Sequence, residues 1–239
     1  LSFTAFSQEK KFRPVQINFG FPLSTINVKK AKEYTNAFSI NLLVGISKNE
    51  RSLALAGISN VIANNATGLQ IASVSNYIGN AGYGIAVAGV TNINKVSYNG
   101  IQASGVYNYS GSGNGIAVAG VANMSKDSYN GLQLSGVTNI AGDVKGLQFA
   151  GVMNIAKKVK GVQFATVLNI AEESDFPIAF INIIKNGKMG VSLSYDNMNN
   201  TMLSFRSGGK YTYGILGVGY NNKVNDGSKI VAEAGYGIH

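Results

Sequence analysis

A short phrase recurs along half of this chain at a spacing of 15 or 16 residues. One clear copy runs from Gly146 to Asn154 and reads Gly-Leu-Gln-Phe-Ala-Gly-Val-Met-Asn. Eight copies occupy about residues 52–171, and internal repetition of this kind decides the architecture before any other feature does. The phrase contains no acid, base or nucleophile, so it predicts a structural element. Its closing asparagines are Asn60, Asn76, Asn92, Asn108, Asn123, Asn139, Asn154 and Asn169.

The phrase has the pattern of a β-strand. Side chains alternate between two sides of a strand, so Leu147, Phe149 and Met153 share one side while Gln148 and Asn154 share the other. One side is therefore apolar and the other is small or neutral-polar. Glycine and β-branched residues recur, and no 3.6-residue apolar stripe forms, which argues against a helix. The sequence predicts an all-β protein.

Two architectures fit such a repeat, an up-and-down barrel and a β-solenoid. All charged residues between Leu53 and Ala171 fall between copies. A membrane-spanning strand avoids charge at a cost of about 2–4 kcal/mol per Lys or Arg, whereas a soluble solenoid normally keeps charges along its sides. Ten tilted residues rise about 25 Å, which matches an outer-membrane apolar band. Alternate copies also differ, as opposite rims of a barrel would. We expect an up-and-down transmembrane β-barrel of about 14–16 strands, with the β-solenoid as the alternative.

The flanks of the repeats also predict strands. The segments with strand-like composition are 12–21, 38–46, 177–185, 189–196, 202–206, 210–220 and 229–238. Leu1–Ser7 has the apolar, small-residue pattern of a signal-peptide remnant, which leaves 8–239 as a single domain. An exported barrel of this kind is expected in the bacterial outer membrane.

The repeats resemble a known family, the short-repeat surface proteins of the Bacteroidetes outer membrane. The shared phrase is Gly-hydrophobic-Gln-x-Ala/Gly-Gly-hydrophobic-x-Asn-hydrophobic, and the similarity extends to Phe38–Gly45 and Leu203–Gly214. The resemblance implies an exported cell-envelope protein and transfers no catalytic residue. Copies of the phrase stand at 68–78, 100–109, 131–140, 146–155 and 161–170.

The chain offers little material for catalysis. His239 is the only histidine and cysteine is absent, so neither a His-based triad nor a multi-His metal site is available. The acidic group Glu172–Asp175 lacks the spacing of a metal loop. Gly217-Val-Gly219 lacks the third glycine of a dinucleotide motif. We expect no enzyme activity, no cofactor and no metal.

Two sets of residues are candidates for a binding role. The amides would face the barrel lumen, where packing of the wall is favoured over lining of a pore because no charged ring accompanies them. These are Gln70, Gln102, Gln133, Gln148, Gln163, Asn76, Asn92, Asn108, Asn123, Asn139, Asn154 and Asn169. A basic rim would contact lipid phosphates or a partner, and comprises Lys29, Lys30, Lys32, Lys95, Lys126, Lys157, Lys158 and Lys160.

The expected function follows from the barrel. The first expectation is an outer-membrane barrel with a structural or partner-docking role, an accessory subunit that contacts outer-membrane lipid and other outer-membrane proteins. A small-solute porin is the alternative within that fold, and a secreted β-solenoid surface adhesin is the alternative from another class. Nucleic acid is not an expected partner despite the net charge of +9, because no basic stripe or basic helix is present.

Overall fold

The structure is a computed structural model that describes residues 11–19, 28–223 and 229–238. The chain divides into two compact units, Leu1–Ser110 and Gly111–His239. The predicted signal-peptide remnant, Leu1–Ser7, lies outside the described residues. Within the described ranges, no helix has the length and apolar character required to cross a membrane.

The first unit consists mainly of short strands. They are β1 (Phe12–Asn18), β2 (Thr35–Asn41), β3 (Val44–Ser47), β4 (Asn49–Ala56), β5 (Ser59–Ile62), β6 (Ala66–Ala72), β7 (Ser75–Ile78), β8 (Ala81–Ala88) and β9 (Thr91–Ser104). A four-residue helix, α1 (Val28–Ala31), precedes β2. The strand β10 (Tyr107–Ala119) begins in this unit and ends in the second.

The second unit continues the same alternation and then changes. Its repeat strands are β11 (Ala122–Ser125), β12 (Ser128–Ser135), β13 (Thr138–Ile140), β14 (Asp143–Ala150), β15 (Met153–Ile155), β16 (Lys158–Ala165), β17 (Leu168–Ala171), β18 (Glu173–Ile178) and β19 (Ile181–Ile184). The remaining strands form a separate antiparallel sheet and are β20 (Met189–Tyr195), β21 (Asn200–Gly208), β22 (Thr212–Asn221) and β23 (Ile230–Ile238). This sheet confirms the strands predicted near the C-terminus.

Successive repeats pair in parallel and in register. Between β14 and β16, Gly146 lies beside Gly161 and Gln148 beside Gln163. Between β15 and β17, Asn154 lies beside Asn169. The same parallel pairing joins β4 to β6 and β5 to β7 in the first unit. Each repeat is therefore one coil of a parallel β-solenoid, built from a long strand and a short strand.

The predicted up-and-down barrel of about 14–16 strands is wrong, and only the alternative fold fits. A barrel needs antiparallel neighbours with one strand per repeat, whereas these neighbours are parallel and each repeat supplies two strands. The porin alternative is wrong for the same reason, because it required the barrel. The error came from treating about ten residues of each repeat as one straight strand, because the chain bends within that stretch at its glycines.

The first bend lies at the glycine that opens seven of the eight repeats. Gly146 has a φ of 131°, a backbone conformation that residues other than glycine rarely adopt. A Cβ atom on Gly146 would stand 2.2 Å from the carbonyl oxygen of Gly131 in the preceding coil. The second bend follows at Gly151 and Val152, between β14 and β15. These bends turn the chain around the interior instead of across a membrane.

Packing inside the coils explains the difference between alternate copies. In the first unit, Gly82 lies beside Tyr98, and a Cβ on Gly82 would stand 2.4 Å from the Tyr98 ring. Ala86 lies beside Gln102 in the same pair of coils. A coil with small interior residues thus accommodates a neighbour with large ones, as close packing requires. The two-repeat period reflects this size matching, and not the two rims of a barrel.

The charged residues of the repeat region lie between the uncharged segments of the coils. In the second unit, Asp143 and Lys145 lie at the start of β14. Lys157 lies two residues after the end of β15, where the next coil begins. The eleven residues between, Gly146–Ala156, contain no charge. The gaps in charge that suggested membrane strands are therefore the uncharged sides of solenoid coils.

The antiparallel sheet packs against the last coil of the second unit. The backbone N–H of Asn182, in the last coil, donates a hydrogen bond to Ser207 Oγ in the sheet at 2.9 Å. The backbone N–H of Lys210 donates to the Ser174 carbonyl, and Thr212 Oγ1 donates to the Pro177 carbonyl. These bonds satisfy polar groups that the final coil would otherwise leave open, so part of the sheet serves as an end cap.

Candidate functional site

The repeated asparagines form ladders inside the solenoid. In the first unit, Asn60 Nδ2 donates to Asn76 Oδ1, and Asn76 Nδ2 to Asn92 Oδ1, both at 2.9 Å. Asn92 Nδ2 donates to Asn108 Oδ1 at the same distance. In the second unit, a ladder with spacings of 3.0 Å runs through Asn123, Asn139, Asn154, Asn169 and Asn182.

Each asparagine also fixes the bend of its coil. Asn154 Nδ2 donates to the backbone carbonyl of Gln148 in its own coil at 3.4 Å. It also donates to the carbonyl of Phe164 in the next coil at 2.8 Å. Corners leave carbonyls outside the strand ladder, and a buried carbonyl without a partner is costly. The asparagine therefore has a structural reason to recur in every copy.

The glutamines behave in two ways. In the second unit, Gln163 Nε2 donates to Gln148 Oε1 at 3.0 Å, and Gln148 Nε2 to Gln133 Oε1 at 2.8 Å. In the first unit, Gln70 and Gln102 alternate with alanines and are also buried. All the amides predicted to line a lumen thus lie in a packed interior, largely bonded to one another and to backbone. This arrangement is typical of wall packing.

Sequence analysis did not identify Glu50, a carboxyl buried in the first unit. Asn36 Nδ2 and Ser39 Oγ donate to Glu50 Oε1 at 2.9 and 2.7 Å. Burial raises the pKa of the Glu50 carboxyl, which outweighs the lowering by Ser39, Asn36 and the nearby Ser47 hydroxyl. Neither Glu50 Oε2 nor Ser47 Oγ makes a hydrogen bond of good geometry to any described residue. The repeat pattern could have identified Glu50, because Glu50 lies beside the inward-facing Ala66 of the next coil.

The predicted basic rim is divided between elements. Lys30 and Lys32 are exposed at α1 and just after it, while the side chain of Lys29 lies outside the described part. Lys95 is exposed on β9, with Nζ 5.8 Å from the centre of the Tyr77 ring. Lys126 is exposed between β11 and β12.

The remaining rim lysines stand among carboxylates in the second unit. Lys158 lies between Asp143 and Glu173 and pairs with Glu173 at 3.1 Å. This contact is the first cause that raises the pKa of Lys158. Backbone bonds place Lys157 beside Glu172, and Lys160 lies beside Lys145. This side of the coils carries both positive and negative charges, so it is not uniformly basic.

The outward side chains of the uncharged segments form apolar stripes. Leu147, Phe149 and Val152 are 39%, 41% and 42% exposed, although each is a large apolar residue. Parallel register places Val162 beside Leu147 and Phe164 beside Phe149, and the two phenylalanine rings stack with centroids 4.8 Å apart. Contiguous apolar surface of this kind marks an interaction site in soluble proteins. These stripes are the candidate functional site.

No chemistry beyond binding is assembled there. Among the described residues, no group of three His, Cys, Asp or Glu side chains is placed to hold a metal ion. His239 lies outside the described residues. The expectation that this chain is not an enzyme stays a prediction.

No protein-family model, no curated protein and no solved structure matches this chain. Fold and site together define its class, a parallel β-solenoid with amide ladders inside and apolar stripes outside. The resemblance to a Bacteroidetes repeat family stays a prediction.

Proposed function

We propose that this chain is a non-catalytic adhesin of the cell envelope that attaches through the uncharged sides of its coils. The observation that carries the proposal is the series of uncharged segments whose outward side chains are largely apolar and exposed. Seven eleven-residue segments without charge support it. They are 68–78, 84–94 and 100–110 in the first unit, and 115–125, 131–141, 146–156 and 161–171 in the second.

Parallel stacking makes these segments suited to attachment. Strands in neighbouring coils lie about 4.8 Å apart, so each outward position becomes a stripe of closely spaced side chains. The bends at Gly146 and Gly151 hold the stripes on a rigid backbone, which lowers the entropy lost on binding. The interior amides are engaged with one another and with backbone, so the outward stripes are the surface left to bind. Apolar area removed from water contributes about 25 cal/mol per Å².

Export to the bacterial outer membrane and contact with its proteins belong to this proposal. An adhesin must reach the cell exterior, and the resemblance to surface proteins supports that location. Within the envelope, the partner that suits the stripes is an apolar surface and not an anion. The mixed charges around Lys158 support this preference, because Asp143 and Glu173 offset its charge.

Adsorption of the purified chain to a methyl-terminated surface tests the proposal. We expect binding that persists when NaCl rises from about 0.1 M to about 1 M, because salt screens charges and leaves apolar attraction. Val152→Lys should lower the affinity about tenfold, since it places a charge in an apolar stripe. Asn130→Lys adds the same charge at an exposed position on the charged side and should leave adsorption unchanged.

The opposite result has a clear meaning. Adsorption that disappears at high salt, is insensitive to Val152→Lys and is lost in Lys157→Gln/Lys160→Gln would assign attachment to the lysines. That outcome would reject the apolar adhesin and favour a docking role for the charged side.

A further inference from the structure

The antiparallel sheet β20–β23 is only half covered by the coil that it caps. Its strands are in continuous register, so the residues of one face can be followed row by row. The row nearest the coil includes Ser207, which bonds to Asn182, and Tyr236, whose ring stacks on Phe180 with centroids 6.1 Å apart. The same face then continues beyond the coil.

The rows that extend beyond the coil are apolar and exposed. Leu193 and Ile230 are 75% and 69% exposed, and Tyr195 is 65% exposed. The opposite face is mixed, with Ser194, Met202 and Val231 in one row and Ser192, Ser204 and Glu233 in the next. The two apolar rows are Leu193, Leu203, Val218 and Ala232, followed by Tyr195, Thr201, Tyr220 and Ile230.

The turn at the far end of the sheet extends this surface. Met198 lies in the turn between β20 and β21 and is 75% exposed. The Asp196 carboxylate is engaged in that turn, because it accepts hydrogen bonds from the backbone N–H groups of Met198 and Asn200. These bonds, with the Asn200 side chain, lower the pKa of Asp196.

Two cationic side chains lie at the end of the sheet where the apolar rows are exposed. Lys229 precedes Ile230, and its Nζ lies 5.8 Å from the centre of the Tyr220 ring. Lys223 is exposed near the same end of the sheet. In the described part of 188–238, five cationic residues oppose two carboxylates, with Lys188, Arg206, Lys210, Lys223 and Lys229 against Asp196 and Glu233.

We propose that the free half of this sheet face inserts into the interfacial layer of a bilayer that contains anionic phospholipid. Aliphatic residues suit the acyl boundary, tyrosines suit the headgroup level, and lysines attract lipid phosphates. The edge strands β20 and β23 limit the depth, since backbone groups along the edge of a sheet must stay hydrated. Net positive charge favours a lipid surface over a second copy of this equally basic sheet. This surface is separate from the solenoid stripes.

Vesicle binding by the full chain tests the inference. The chain has no tryptophan, so Tyr195→Trp introduces a single reporter within the apolar rows, and Ser194→Trp introduces one on the opposite face. With phosphatidylcholine vesicles containing about one-third phosphatidylglycerol, Tyr195→Trp emission should move to shorter wavelength, and Ser194→Trp emission should not. Binding should weaken about tenfold on raising NaCl from about 0.1 M to about 0.5 M.

Two glutamate variants distinguish insertion into the bilayer from electrostatic attraction to its surface. Leu193→Glu should lower the vesicle partition coefficient about tenfold, whereas Ser194→Glu, one residue away on the opposite face, should lower it about twofold or less. Equal losses in both variants, equal shifts of both tryptophans, or no vesicle binding would overturn the inference. Self-association without vesicles that Leu193→Glu abolishes would likewise overturn it, in favour of a second copy. Loss of adsorption in Val152→Lys leaves this test unaffected.

Discussion

At the residue scale, the inward amides are the feature that holds this protein in one register. Period-two alternation correctly separated Gln148 and Asn154 from the outward Leu147 and Phe149, because both a barrel wall and a solenoid coil obey that alternation. It failed at Val152, which alternation places inward and which is exposed at a bend. Alternation does not distinguish a barrel from a solenoid, because both place the amides inside. The two folds differ in how the repeats pair with one another.

Removal of one ladder amide should destabilise the second unit. In Asn154→Ala, Asn169 Oδ1 and the carbonyls of Gln148 and Phe164 lose a donor in a buried setting. We expect a loss of about 2–3 kcal/mol in the free energy of unfolding, measured by chemical denaturation. Asn130→Ala, at an exposed position, should cost less than about 0.5 kcal/mol. Equal losses for both variants would contradict the ladder.

Glu50 should make stability depend on pH. Its carboxyl has a raised pKa in the folded chain, so the folded state binds this proton more tightly than the unfolded state. The stabilising contribution is complete below the unfolded pKa of about 4.5 and is lost as the pH rises through the higher folded pKa. Glu50→Gln should therefore be more stable than the parent at pH 8, and the difference should shrink towards pH 4.5.

Thermal unfolding between pH 4.5 and pH 8 measures this difference. Glu173→Gln, on an exposed ion pair, serves as the control and should run parallel to the parent. A Glu50→Gln variant that is less stable than the parent at pH 8 would show that Glu50 is ionised and favourably bound in the folded chain.

At the element scale, the glycine bends decide between a strand and a coil. The sequence shows a glycine at the start of seven of the eight copies, but glycine occurs both in barrel strands and at solenoid bends. The positive φ of Gly146, and the 2.2 Å that would separate a Cβ there from the Gly131 carbonyl oxygen, distinguish the two. The C-terminal strands were predictable because their alternation and turn residues are local, whereas the pairing of distant repeats is not.

Substitution of a bend glycine should be costly. Gly146→Ala places a Cβ against the Gly131 carbonyl and forces an unfavourable φ, so we expect a loss of about 2–4 kcal/mol in the free energy of unfolding. Gly190→Ala is the matched control, because a Cβ there meets nothing within 4 Å. Chemical denaturation of both variants gives the comparison, and near-equal stability would contradict the bend.

At the scale of the whole molecule, one repeated coil gives the protein its two kinds of surface. The uncharged segments that resembled membrane strands become apolar stripes, and the charges of the repeat region lie between these segments. The sequence therefore identified the uncharged segments correctly. The predicted barrel was wrong, because these segments lie on the coils of a solenoid. The adhesin proposal uses the coils of both units and the bilayer proposal uses the antiparallel sheet of the second unit, so separate variants test them.

Disulfide formation between engineered cysteines tests the parallel solenoid most directly. The chain has no native cysteine, so each pair supplies its only thiols. Leu147 and Val162 are direct neighbours in the parallel register, and cysteines at these positions should cross-link under mild oxidation. Leu147 and Ile170 would be opposite each other in an antiparallel barrel but lie on unpaired strands here. Efficient cross-linking of Leu147→Cys/Val162→Cys alone supports the solenoid, and cross-linking of Leu147→Cys/Ile170→Cys alone would contradict it.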